Sequence, residues 1–445
     1  MSTTTKPAVT GYLPDERPTT GKLILFALQQ ILVMFPATVT VAILTGFHIS
    51  TTIFASGLAT LSFLLITKRK IPLYYGSSFS YIAAICGITS STMVNGIASD
   101  IAISQAQFGI IMSGFVSIIA GLIVNKFGQE KIEKILPATI TGSIAIIIGL
   151  SLTGTAMTSS AGYENGTVSP KYWIVAVITL LATILFSVYL QKGVIGQIPI
   201  LLGMIVGYVV SIPLGLVDFS PIVSNGIFTA PHFTFPIPNW QAVLAIMPIA
   251  IATIPESTAH LYQLDIYVND LAKKKNSKKE YKIGDKLGLN LIGDGIGDIV
   301  SSMFGGPAGT NYGENISTMA ITRNFSIWVL GAAAVITIII SFFAPLTNLV
   351  SSIPSPVING ACIYLFGVIG VQGVAIMISK NVDLFDARNL AVIAVILVIG
   401  IGGSFGFEGG NIMITNDLSV PAIATASVVG IFLNLLLNIG RKQEA

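Results

Sequence analysis

The stretch "GGPAGTNYGENISTMAIT", residues 305–322, decides how this chain folds. It opens with two glycines and a proline, passes through small and polar residues to a Tyr-Gly pair, and turns helix-like only from Glu314 onward. Pro and Gly break helices, and the residues between them suit a brief strand. An earlier stretch, "IPLYYGSSFSYIAAICGI" at residues 71–88, has the same order: Pro, an extended run, Tyr-Gly, then a shorter helical run. Each is expected to form a strand followed by a half-helix. Irregular backbone at membrane depth is tolerated only where protein or a wet cavity surrounds it, and two broken elements at matching places in two halves point to a binding site. The plainer alternative makes both stretches loops between ordinary helices.

Around them the chain is built for lipid. Of its 445 residues 53% are hydrophobic and only 10% charged, far below the roughly 25% charged residues of a soluble domain. Runs of about 20 apolar residues, the length that spans a bilayer, follow one another almost end to end from Leu23. The 22 residues before that carry Lys6, Asp15, Glu16 and Arg17 and lack the apolar core and cleavage site of a signal peptide, so the first helix is expected to remain in the mature protein. Cys86 and Cys362 lie far apart in apolar runs and read as packing residues.

Segmentation gives fourteen membrane elements, and the distribution of positive charge tests the count. With the N-terminus inside, the inner face receives Lys6, Arg17, Lys22, Lys68, Arg69, Lys70, Lys126, Lys131, Lys134 and Lys192. It also receives the seven lysines of "AKKKNSKKEYKIGDK", then Arg323, Lys380, Arg388, Arg441 and Lys442. That is 22 of the 23 basic residues, leaving Lys171 outside. The expected fold is therefore an all-α polytopic membrane protein of 14 transmembrane segments, a 7+7 inverted repeat with short strands in segments 3 and 10. Those two segments are seven apart and cross in opposite directions, as an inverted repeat requires.

Two carboxylates stand out against this background. Glu314 lies nine residues before Arg323, which at roughly 1.5 Å per residue is close to half the hydrocarbon thickness. Glu256, in "MPIAIATIPESTAHLYQLD", lies 17 residues before the lysine cluster that begins at Lys273 and four before His260, which shares its helical face. An intramembrane carboxylate is a functional-site hypothesis by default; the alternative puts Glu256 at the cytoplasmic end of its helix. Carboxylates accept hydrogen bonds from ring N–H groups, and main-chain amides at half-helix starts donate to a carbonyl. A small, flat, neutral heterocycle would satisfy both kinds of group. An inorganic anion would want arginine or lysine near the half-helix ends, and the apolar segments supply none.

"GTNYGENISTMAITR", with "PESTAH", "YYGSSF" and "LQQILVMFPATVTVAILTG", resembles the uracil permease branch of the nucleobase:cation symporter-2 (nucleobase/ascorbate transporter) family over nearly the whole chain. The resemblance implies a core domain of segments 1–4 (residues 23–126) and 8–11 (240–350), and a gate domain of segments 5–7 (135–216) and 12–14 (356–440), after a cytoplasmic tail at 1–22. It implies that Glu256 and Glu314 hold the pyrimidine, that the main-chain amides of Phe79 and Gly313 meet a ring carbonyl, and that Ala37, Tyr312 and Phe366 pack around the ring. His260 would support Glu256 and take part in proton coupling. Gln30 stands where the family often has histidine, Pro36 where glycine is usual, and Phe366 where tyrosine occurs, which leaves pyrimidine better founded than uracil itself.

Burial disfavours a charged carboxylate, so Glu256 is expected to exchange a proton in the physiological range and to couple H⁺ entry to uptake. The expected partners are a nucleobase, H⁺ and the bilayer of the cytoplasmic membrane, with both termini cytoplasmic; a homodimer is left open, and no nucleic acid is expected. No cofactor or metal is expected, and the glycines show no phosphate-binding motif of ATP coupling. Asp294 and Asp298, four apart in "IGDGIGDIV", could hold a cation, but a solvated helix end or pairing with Lys282 or Lys286 is the simpler expectation. Asp383, Asp386 and Arg388 read as surface pairs, and the Gly402-Gly403 and Gly409-Gly410 pairs as turns or thin contacts between helices. Coupling to Na⁺, an anion transporter of the same architecture, and a membrane hydrolase using Glu256 and His260 are the competing readings.

Overall fold

The computed structural model describes residues 11–94, 96–128, 136–162, 167–190, 195–219, 226–407, 410–414 and 419–438. Lys6, Lys131, Lys134, Lys192, Gly409, Arg441 and Lys442, named above, lie outside the described residues. Apolar runs become helices throughout. Among the described residues eight helices are long and apolar enough to cross a bilayer, and four shorter apolar helices accompany them. Their outward faces carry large apolar side chains such as Leu181, Leu185, Val398 and Phe432, as a lipid-facing surface must.

The first half of the chain runs α1 (Thr20–Thr45), α2 (Ile49–Ile66), strand β1 (Tyr75–Ser77), α3 (Ile82–Thr89), α4 (Asp100–Phe127), α5 (Ala138–Ser151), α6 (Thr153–Ser160), α7 (Pro170–Tyr189) and α8 (Pro199–Ser211). The second runs α9 (Trp240–Ile246), α10 (Ala250–Lys274), α11 (Leu287–Met303), strand β2 (Gly309–Asn311), α12 (Gly313–Thr322), α13 (Ile327–Ile340), α14 (Ala344–Ser351), α15 (Ser355–Ser379) and α16 (Ala387–Gly406). It closes with β3 (Asn411–Met413), β4 (Ser419–Pro421) and α17 (Ala422–Leu437). The β3–β4 ribbon has no counterpart in the sequence reading.

The helices pack in two sets. In one, α11 lies against α4 and α2, and α13 against α1 and α2; in the other, α15 lies against α5 and α7, and α16 against α5 and α17. Glycine sets the closeness of the central pair in each. A Cβ on Gly114 or Gly121 of α4 would stand 2.6 or 2.5 Å from the carbonyl oxygen of Gly295 or Gly288 on α11. On α5, a Cβ at Gly142 would stand 2.7 Å from the Gly373 oxygen of α15, and one at Gly149 2.4 Å from the Gly370 nitrogen. Small residues repeated at this spacing let backbones touch, which is how helices associate where no hydrophobic driving force operates. The Gly402-Gly403 pair is helical rather than a turn, with Gly403 packed on Ala422; Gly410 does adopt positive φ. Cys362 is buried and Cys86 sits near the Leu44 carbonyl, both as free thiols.

Both broken stretches form the expected strands, and the strands pair with each other. β1 runs antiparallel to β2 with Tyr75 opposite Asn311, Gly76 opposite Thr310 and Ser77 opposite Gly309. Tyr312 N–H donates to the Tyr74 carbonyl and Ser78 N–H to the Ala308 carbonyl, extending the match at both ends. The repeated Tyr-Gly spacing now has a cause. The Tyr312 ring fills the space a Cβ on Gly76 would need, 2.6 Å away, and the Tyr75 ring does the same for Gly309. One difference from expectation is that the first half-helix begins as a 3-10 turn at Phe79–Tyr81 before α3.

Candidate functional site

The crossing of β1 and β2 brings two helix starts together. Tyr312 precedes α12 without a side-chain cap, and the Glu314 carboxylate takes its own main-chain N–H in the first turn. Glu314 stands in that first turn. Glu314 is exposed, whereas its neighbours Asn315 and Ile316 are buried. Facing it is α10, which follows a break at Met247–Ile249 and then runs unbroken through Pro255 to Lys274. Glu256 sits in the second turn of that helix, about 25 Å of helical rise from the lysines. Glu256 thus stands near the end of α10 remote from the lysines.

Glu256 and Glu314 are close enough for their charges to interact. Ser80 Oγ donates to Glu256 Oε2 at 3.3 Å, linking the start of the first half-helix to the carboxylate on α10. His260, one turn on, hydrogen-bonds the main chain of Asn311 and leaves its Nδ1 unpaired. Its Nε2 is 2.8 Å from where a Cβ on Gly313 would be, so only glycine fits at the start of α12. The Tyr312 hydroxyl donates to the Ser77 carbonyl at 2.9 Å and meets Thr38 Oγ1 at 3.0 Å.

The apolar residues named from the sequence surround the same place. Ala37 on α1 and Tyr312 are buried in one cluster, Phe366 on α15 in another, and Phe79 packs against both. Gln30, at the position noted for its departure from histidine, accepts from Asn315 Nδ2 through both its side-chain oxygen, at 2.8 Å, and its carbonyl. It ties α1 to α12.

Asp294 and Asp298 depart from the expectation of a solvated or lysine-paired helix end. Both are buried. Asp298 Oδ1 accepts from Tyr75 hydroxyl at 2.8 Å and from Gly309 N–H at 2.7 Å, one partner on each strand. Asp294 accepts from Asn311 Nδ2 at 2.8 Å and from Ser257 Oγ, the residue beside Glu256. Asn290 Nδ2 donates to the same Ser257 hydroxyl at 2.6 Å. Ser80, Ser257, Asn290 and Asn311 join the site without having stood out in the sequence. Their signal was present as polar side chains within apolar runs, which seek partners when buried. Asp383 and Asp386 cap main-chain N–H groups of Phe385 and Arg388, and among the described residues no ion pair joins them to Arg388.

Residues 21–409 match the model of a permease family. A uracil permease of Bacillus caldolyticus is 39% identical over 438 residues, 97% of this chain and 95% of the relative. A uracil permease of Escherichia coli (strain K12) is 34% identical over 97% of this chain and 95% of the relative. A putative pyrimidine permease of the same strain is 34% identical over 98% and 94%. Among solved structures, the transmembrane domain of the cyanobacterial bicarbonate transporter BicA aligns with a TM-score of 0.57 at 13% identity, covering 95% of this chain and 99% of that one. SLC26A9 aligns with a TM-score of 0.64 at 11% identity, covering 95% and 66%. The two structures share the fold alone. The relatives are permeases and not enzymes, which removes the hydrolase reading. This chain is a multi-pass membrane protein of the nucleobase:cation symporter-2 permease family.

Proposed function

We propose that this protein imports a nucleobase, uracil first among them, by proton symport across the cytoplasmic membrane. The observation that carries the reading is the convergence of Glu256 and Glu314 at the start of α12, which has no side-chain cap. A uracil ring offers two N–H donors and two carbonyl acceptors in one plane. The carboxylates receive the donors, and the main-chain amides at Gly313 and Phe79 meet a carbonyl. Ala37, Tyr312 and Phe366 close around the ring faces. A site with two carboxylates and, among the described residues, no cation suits an anion poorly, so likeness in fold to bicarbonate and anion transporters does not carry their substrates over.

The proposed architecture is fourteen segments in a 7+7 inverted repeat with both termini cytoplasmic. The first packing set is the core domain, residues 23–126 and 240–350; the second is the gate domain, residues 135–216 and 356–440. Two packing sets and two matching strand-plus-half-helix elements support this division. Transport is rocking of gate against core around the fixed strand crossing. Glu256 takes a proton from outside as substrate binds, His260 holds the entrance to α12 in place, and both cargoes leave inward.

Uptake of labelled uracil into vesicles, competed by unlabelled pyrimidines, purines and ascorbate, tests the reading. Uracil and close pyrimidines should compete, and acidifying the outside should accelerate uptake without added Na⁺. Decisive competition by purines would overturn the pyrimidine assignment. Uptake that follows a Na⁺ gradient and ignores pH would replace the coupling ion.

A further inference from the structure

The chain has three histidines, and the site above uses one. The other two meet a single carboxylate at the end of the fold opposite the lysine cluster. His48 lies in the turn between α1 and α2, Asp100 is the first residue of α4, and His232 lies in the extended connection before α9. His232 Nε2 is 2.9 Å from Asp100 Oδ2 and His48 Nε2 is 3.6 Å from Asp100 Oδ1. The imidazole centroids are 4.4 Å apart, and one ligand atom from each residue lies within 4.8 Å of the others.

Hydrogen bonding alone leaves this arrangement incomplete. His48 Nε2 is shut off from solvent and makes no hydrogen bond. Charging both rings would set two cations 4.4 Å apart over one carboxylate. A divalent metal resolves both problems, since it draws on the lone pairs of neutral imidazoles. Zinc bonds nitrogen and oxygen at about 2.0–2.2 Å, and a tetrahedral site then has ligand-to-ligand edges of about 3.3 Å. The separations of 2.9 and 3.6 Å fall on either side of that edge. Two imidazoles and one carboxylate suit zinc and its neighbours, whereas calcium and magnesium take all-oxygen shells. The segment bearing His232 is itself held in place: Thr51 Oγ1 donates to the His232 carbonyl at 2.7 Å, and Phe233 packs edge-on against Phe54 at 5.1 Å.

We propose that His48, Asp100 and His232 form a three-ligand site for a divalent transition metal of the zinc class, with water completing the shell. Bound metal ties three segments distant in sequence and anchors the connection that leads from α8 into α9. The site is separate from the carboxylate pair and stands whether or not uracil is the substrate.

The test uses full-length, tag-free protein in detergent, stripped with chelator and titrated with zinc chloride under metal analysis. One zinc per chain is expected, undiminished by excess magnesium or calcium. His232→Ala, whose side chain is 53% exposed and whose loss spares the core, should lower affinity on the order of tenfold or more, as should Asp100→Ala. Zinc should raise the thermal midpoint of wild type but not of the double variant, and His260→Ala should bind zinc as wild type does. Absence of zinc binding by wild type, or equal binding by the folded Asp100→Ala, His232→Ala double variant, would overturn the proposal.

Discussion

Gly313→Ala is the smallest change that tests whether the start of α12 and His260 act as one unit. The new methyl would stand 2.8 Å from His260 Nε2, whereas ordinary contact begins at 3.4 Å, a shortfall of about 0.6 Å. The ring cannot recede freely because it is tied to the Asn311 main chain. Losing that hydrogen bond costs about 1 kcal/mol, and overpacking of a tight site costs about 1–3 kcal/mol. If the strain falls on the bound state, uracil affinity drops by about 5- to 150-fold. Binding of labelled uracil to purified protein measures this, with the thermal midpoint separating site damage from general unfolding. A double-mutant cycle with His260→Ala sharpens it, because removing the ring removes the clash. Added to His260→Ala, the methyl should then cost almost nothing. Affinity within twofold of wild type for Gly313→Ala alone, or strictly additive losses in the cycle, would refute the coupling.

Glu314→Gln keeps the shape of the side chain but replaces one acceptor oxygen with a donor; affinity for uracil should fall by about 10- to 150-fold, the worth of a hydrogen bond to a charged group, and unchanged uptake would remove the contact. Glu256→Gln should abolish the acceleration of uptake by external acid while the protein still folds, and a variant that keeps full pH dependence would move coupling elsewhere. Asp298→Ala leaves the Tyr75 hydroxyl and the Gly309 N–H without their acceptor, at about 1–3 kcal/mol for each orphaned group; its melt should fall well below wild type. Tyr312→Phe should cost roughly 1 kcal/mol of stability and leave substrate affinity nearly intact, because the hydroxyl points at Ser77 and Thr38.

Much of the site could be read from residue order because the cues were local. Pro72 and Tyr75-Gly76 in one stretch, and Pro307 and Tyr312-Gly313 in the other, mark two interrupted segments whatever surrounds them. The distance from Glu314 to Arg323, and from Glu256 to Lys273, gave depth from helical rise alone. What stayed hidden depends on partners remote in sequence. Nothing within "IGDGIGDIV" reveals that Asp298 accepts from both strands, because Tyr75 is more than 200 residues away. Charged residues near a lysine-rich loop therefore look solvated from sequence alone. The β3–β4 ribbon escaped because "NIM" and "SVP" are short and carry no alternation strong enough to separate strand from loop.

The buried acids on α11 explain how so irregular a site can be held in place. Three residues of strand on each side cannot hold a register alone, since a two-stranded ribbon is marginal even in water. Asp298 ties Tyr75 of β1 and Gly309 of β2 to one rigid helix, and Asp294 ties Asn311 to Ser257 on α10. The same helix touches α4 backbone to backbone through Gly288 and Gly295. Any displacement of the strand crossing must therefore also break buried hydrogen bonds to α11 or separate a close-packed helix pair. Glu256 immediately precedes Ser257, and Glu314 follows Asn311 by three residues, so the network fixes the bases of both carboxylates without touching their oxygens. The geometry between the two carboxylates is thus set by neighbouring side chains, and Ser80 adds one hydrogen bond to Glu256 Oε2 at 3.3 Å.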